Sequence, residues 1–230
     1  MDVAEFDRFA DEYHSMHAAN IAITGEQPEF FSEYKVRLLC SDTRDLADGA
    51  NRIIDFGAGT GNSVAFFRTY YPDAALTCAD VSRRSLDIAL GRFPAGMRTL
   101  LLDGPKIDAP DASFDVAFSA CVFHHIPHAE HAHWLGELRR VVRPGGMVAI
   151  FEHNPLNPLT VRAVNTCPFD ANARLIRARA LKRSLRRAGW QRPAIRYHMF
   201  FPRRLAALRP LEPLLTWLPL GAQYSVIAVR

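Results

Sequence analysis

Cysteine is scarce and scattered in this chain. Cys40, Cys78, Cys121 and Cys167 are the only four in 230 residues, with no C-x-x-C spacing. That argues against a disulfide framework or a cysteine-based zinc site. No apolar run reaches the roughly 18 residues that a membrane-spanning helix needs. The opening Met1-Asp2-Val3-Ala4-Glu5 also lacks the basic, then apolar, pattern of a signal peptide. A reducing, cytoplasmic setting is the expectation. Acids are missing altogether from residues 171–209, which carry twelve bases, whereas residues 1–34 carry eight acids and one base. Such asymmetry points to a basic face. Internal repeats and low-complexity tracts are absent too.

What is present is a strand–helix alternation between 52 and 153. Arg52–Phe56, Ala75–Asp80, Met97–Leu102, Phe114–Cys121 and Met147–Phe151 read as strands. Helices are expected over 61–70, from an N-cap at Ser82 to about Gly91, and over 129–142, the last broken by Pro144-Gly145-Gly146. Alternation of this kind implies right-handed crossovers and a parallel sheet. A loop with Pro155 and Pro158 follows, then a helix over 172–188. Arg192–Phe200 and Gln223–Val229 read as two end strands able to pair antiparallel. Phe6, Phe9, Tyr13 and Met16 recur at helical spacing in front of the sheet.

The loop Gly57-x-Gly59-x-Gly61 leaves a strand and opens a helix. Glycines let backbone approach a ligand closely, and helix N–H groups favour an anionic partner. A dinucleotide fingerprint wants glycine at the sixth position of this motif, where Asn62 stands. Acids end the first three strands: Asp55, Asp80 and Asp103.

These motifs resemble those of the class I S-adenosylmethionine-dependent methyltransferases. The stretch IIDFGAGTGN is similar to the family's first motif and Cys78-Ala79-Asp80-Val81-Ser82 to its second. Leu102-Asp103-Gly104, Phe114–Ser119 and Leu138–Gly146 fall in the places of the third, fourth and fifth. The resemblance covers 45–155 in detail. It implies an α/β, Rossmann-like, doubly wound seven-stranded sheet, mostly parallel with an antiparallel last strand, and helices on both faces. One unit over 1–230 is expected: a helical lid over 1–44, a cofactor core over 45–155 and a substrate-side part over 156–230.

The resemblance further implies S-adenosyl-L-methionine as cofactor. Asp55 and the backbone of Gly57, Ala58, Gly59, Thr60, Gly61 and Asn62 would surround its methionine part. Asp80 would accept both ribose hydroxyls, Val81 would pack on adenine, and Asp103 with Gly104 would read the adenine edge. Ala120 and Cys121 would line the site near the methyl, and Tyr13 would close it.

Acceptor chemistry is less explicit. His125, of the pair His124-His125, follows the fourth strand, at the edge where such sheets place ligands. It reads either as a base or as a packing and capping feature. Glu152 and His153 at the end of the fifth strand could orient or deprotonate an acceptor, or form a turn before Pro155. No metal site is expected, because Glu130 is the only acid among the histidines of 124–133. The basic helix near 172–188 and the leucine-rich, proline-rich insert 201–221 permit weak contact with a membrane surface or an amphiphilic substrate. The reading is methyl transfer to a small molecule, at oxygen, with a lipid-linked or natural-product acceptor in view. An RNA methyltransferase and a nicotinamide-dependent oxidoreductase are the alternatives. Nucleic acid is disfavoured, since no RNA-binding module or base-methylating motif is present. The oligomeric state is left open.

Overall fold

The computed structural model describes residues 24–44, 46 and 49–230, with the side chain of Phe169 left out. Tyr13 and most of the expected lid therefore lie outside the described residues. Helix α1 (Pro28–Asp42) precedes the sheet, with Pro28 at its first turn, where a missing N–H costs nothing. Then come β1 (Arg52–Phe56), α2 (Val64–Tyr70), β2 (Ala75–Asp80), α3 (Arg83–Arg92), β3 (Arg98–Leu101) and β4 (Phe114–Ala120). After β4 follow α4 (His131–Val141), β5 (Val142–His153), α5 (Pro158–Thr166), α6 (Ala178–Arg187), β6 (Gln191–His198), α7 (Glu212–Leu215) and β7 (Gln223–Val229).

The seven strands lie in the order β3-β2-β1-β4-β5-β7-β6. β1 to β5 pair in parallel, and β7 runs antiparallel between β5 and β6. The antiparallel last strand expected from sequence is thus β7. Side chains alternate across the sheet. Ile54, Val148 and Ile150 pack with Leu138 of α4 and Leu181 of α6. Ile53, Ala149 and Phe151 face the other way, onto Leu39 of α1 and Phe67 of α2. Both faces are covered, which explains why β4 is buried at almost every position.

Three local expectations change. Residues 155–166 are not all loop: the Asn157 side chain accepts from Leu159 N and Thr160 N, and Pro158 starts α5. Asn-Pro is an N-cap followed by a proline at the first helical position, a start signal rather than a break. The basic helix is shorter than 172–188 and begins at Ala178; Leu181 and Leu185 are buried while its arginines stay outward. α4 ends at Val141, before Pro144-Gly145-Gly146, and β5 already begins at Val142; its pairing with β4 is irregular across the Pro-Gly-Gly stretch, passing from Val142 opposite Phe114 to Met147 opposite Val116. Gly146 is required there: a Cβ would lie 2.5 Å from the Asp115 carbonyl oxygen.

Candidate active site

The carboxyl ends of β1, β2, β4 and β5 open into one cavity of about 360 Å³. Its two ends differ in chemistry. At the first, the chain leaves β1 at Asp55 and hangs the glycine loop on β2: Gly57 N and Ala58 N both donate to the Ala79 carbonyl. Gly57 sits at φ +79°, and a Cβ there would be 2.3 Å from Val122 Cγ2. Gly59 is also left-handed, yet nothing lies within 4 Å of its would-be Cβ. The loop thus presents bare backbone to open space. Asp80 stabilises that shape by accepting Gly59 N at 2.8 Å and Ser82 N at 2.9 Å. A carboxylate has about four acceptor positions, and the loop and the following turn take two of Asp80's.

Asp55, Gly57, Ala58, Gly59, Thr60, Asn62, Asp80, Val81, Ala120 and Cys121 all line the cavity. Gly61 does not; its α-carbon packs against Ala89 of α3. Asn62 also serves the loop, because Arg92 donates to its Oδ1 and to the Thr60 carbonyl. Asp103 and Gly104 are placed elsewhere. Both are exposed, and only Leu102 of that motif reaches the cavity. In the next segment Glu137 accepts Ile107 N and Arg140 donates to the Ile107 carbonyl, tying the chain after β3 to α4.

Asp55 is fully enclosed. Burial pushes its carboxyl up to about 7, and neighbouring Asp80 adds to this while Lys35 of α1 opposes it. Lys35, itself buried, is a charge that no motif announced. Gln223 of β7 brings a second unannounced group: its buried Oε1 lines the cavity without a partner among the described residues. Bare glycine backbone, two acids and an orphaned amide oxygen fit a polar, partly cationic ligand carrying hydroxyls and an amine, as S-adenosylmethionine does.

At the other end the lining turns to histidine. His125 and His153 line the cavity with His124 between them, ring centroids 4.2 and 5.2 Å away. Glu152 does not face the cavity. Its Oε1 accepts Val122 N and Phe123 N, and its Oε2 accepts His124 Nδ1 at 2.6 Å. It pins the turn after β4, with both oxygens engaged there and turned away from the place of an acceptor. Asp170, on a turn after α5, completes the group: its Oδ1 lies 3.4 Å from His125 Nε2 and 3.6 Å from His124 Nε2.

The charges follow from this packing. Burial works to lower the pKa of His124, but Glu152 and Asp170 overcome it and push it up to about 10. Burial pushes His125 down, and His153 down to about 4 beside the His124 charge. Burial opposes ionisation of Asp170, yet hydrogen bonds from His124 and His125 hold it well below the usual carboxylate range. One cationic ring and two neutral rings therefore face the same space.

The sheet order, the single antiparallel strand and the acid-clamped glycine loop define the class I methyltransferase architecture. Residues 53–146 match the family model described as a methyltransferase domain. They are a methyltransferase domain of the class I, S-adenosylmethionine-dependent kind. Among relatives, the ubiquinone/menaquinone biosynthesis C-methyltransferase UbiE of Ectopseudomonas mendocina is 26% identical over 175 residues, 71% of this chain and 65% of its own. Trans-aconitate 2-methyltransferase of an Azoarcus species is 33% identical over 134 residues, 58% of this chain and 51% of its own. These matches span about half to two-thirds of the relatives' own lengths. The fold is shared with an S-adenosylmethionine-dependent methyltransferase from Thermotoga maritima, at TM-score 0.67 and 19% identity, over 99% of this chain and 98% of that one. Among the described residues, no helix is long and apolar enough to cross a membrane.

Proposed function

We propose that the chain transfers a methyl group from S-adenosyl-L-methionine to a small amphiphilic acceptor, at oxygen. The observation that carries this reading is one cavity with a glycine-and-acid end and a histidine end. Bound there, the cofactor supplies an electrophilic methyl group on sulfur. The chain's part is to bind, to align and to exclude water. Asp80 and the Gly57–Asn62 loop hold the first end. His153 offers a neutral ring to the acceptor at the second, beside the His125–Asp170 pair.

The mouth supports an amphiphile. Leu159, Phe200, Phe201 and Pro202 line it. The segment beyond exposes Leu205, Leu208, Leu211, Leu214 and Trp217, with Arg203 and Arg204 beside them. Apolar surface of this extent on one segment marks a binding face. A carbon acceptor is the second reading, favoured by the relative named as a C-methyltransferase.

Calorimetry with S-adenosylmethionine and with NAD tests the cofactor. Binding of the first alone is expected; binding of NAD alone overturns the reading. Labelled-methyl transfer to long-chain phenols and quinols, with short-chain analogues as controls, tests the acceptor. In His153→Ala, turnover should fall while S-adenosylmethionine affinity holds. Equal turnover would remove His153 from the acceptor's surroundings.

A further inference from the structure

We propose that His124, His125 and Asp170 form a binding site for one divalent first-row transition cation at the acceptor end of the cavity. Three donor atoms from two separate segments converge there. Two belong to the turn after β4 and the third to the turn after α5. The carboxylate oxygen lies 3.4 Å from one ring nitrogen and 3.6 Å from the other, and all three donors fall within 4.8 Å of one another. Tetrahedral donors roughly 2.0–2.2 Å from one cation lie about 3.3–3.6 Å apart, the spacing of the two Asp170 distances.

The surroundings are those of a built site. Histidine ligands characteristically donate their other ring N–H to a carboxylate, which fixes the tautomer. His124 does so: Nδ1 donates to Glu152, leaving Nε2 on the side of Asp170. Glu152 is itself fixed by two backbone N–H groups. The His124, His125 and Asp170 side chains are only 1, 7 and 11% exposed. A dication between Asp170 and Glu152 would leave no net charge, once the proton on His124 is released to solvent as metal binds. Two imidazoles and a carboxylate suit zinc, manganese or iron rather than a soft monovalent ion. Three protein ligands leave a position for an acceptor oxygen.

This site does not rest on the methyl-transfer reading, because it is tested without cofactor or acceptor. The full chain, stripped with EDTA and dialysed, is titrated with Co2+ by visible absorption and with Zn2+ by calorimetry. One equivalent is expected to bind. Asp170→Asn and His125→Ala should each weaken binding at least about tenfold, with far-ultraviolet circular dichroism unchanged. His128→Ala/His133→Ala, which removes two exposed histidines, should bind as the parent does. Absence of saturable one-to-one uptake overturns the proposal, and so does full affinity in Asp170→Asn. Either result leaves the cluster as an imidazolium held between two carboxylates.

Discussion

The two ends of the cavity solve opposite electrostatic problems. The glycine-loop end gathers like charges: Asp55 and Asp80 sit together, with Lys35 the opposing charge. The histidine end gathers opposite charges, and its rings and carboxylates satisfy one another. The first end is strained until something cationic or hydrogen-bonding arrives. The second is already balanced. Their construction differs in the same sense. Residues 55–82 supply most of the first end, with Lys35 of α1 and Gln223 of β7 added to it, whereas the second is assembled from the turns after β4 and α5 and the end of β5.

If the first end depends on backbone shape, the largest effect should come from Gly57→Ala. The new Cβ meets Val122 at 2.3 Å on a left-handed residue. Overpacking together with the left-handed penalty should cost roughly 2–5 kcal/mol. Urea unfolding measures this; a loss below about 1 kcal/mol would show that the loop simply moves aside. Asp80→Ala comes next. It leaves Gly59 N and Ser82 N without their acceptor. S-adenosylmethionine affinity should drop by about 1.5–3 kcal/mol, the range for hydrogen bonds to a charged group. Unchanged affinity by calorimetry would make Asp80 a turn residue only.

The same contrast explains what could be read in the sequence. The strand–helix alternation and the glycine loop rest on periodicity and short motifs, which are local, and the antiparallel last strand on the family resemblance those motifs carry. Asp55, Asp80, Val81, Ala120 and Cys121 fall where the motifs put them because each ends or follows a strand. Asp103 also follows its strand but is exposed, and four residues further on Glu137 and Arg140 of α4 tie the chain down at Ile107. Such long-range pulls leave no local trace. Asp170 was invisible for the same reason: no pattern near it points to His124 or His125. Glu152 was half legible. Its position at the end of β5 is local, but its capture by Val122 N, Phe123 N and His124 is tertiary. Asn157-Pro158 was legible in principle, as a helix start.

Asp55→Asn sharpens the claim that the first end is strained. The carboxyl rises from 3.8 to about 7 on folding. Between those values the folded chain holds a proton that the unfolded chain has lost. Stability from this group therefore falls as pH rises from about 4 to about 7. Asparagine removes that dependence, so the variant's Tm should gain on the parent's across this window and hold level above it. A variant that loses as much at pH 8 as at pH 4 would show that Asp55 is ionised and satisfied. The same variant should bind S-adenosylmethionine more weakly, since the strain is what the ligand relieves.

The smallest effect belongs to the mouth, where neither end's electrostatics reaches. Trp134 and Trp190 are buried, whereas Trp217 is 73% exposed, so Trp217 reports on that surface alone. A long-chain amphiphile should shift its emission to the blue, and Trp217→Phe should abolish the shift. Leu214, 71% exposed, gives the kinetic counterpart. Leu214→Ser should raise KM for a long-chain acceptor about fivefold, as loss of roughly 1 kcal/mol of apolar contact requires. It should leave KM for a short-chain analogue and the affinity for S-adenosylmethionine untouched. An equal rise for both acceptors would place Leu214 in the fold rather than at the acceptor, and would confine recognition to the histidine end.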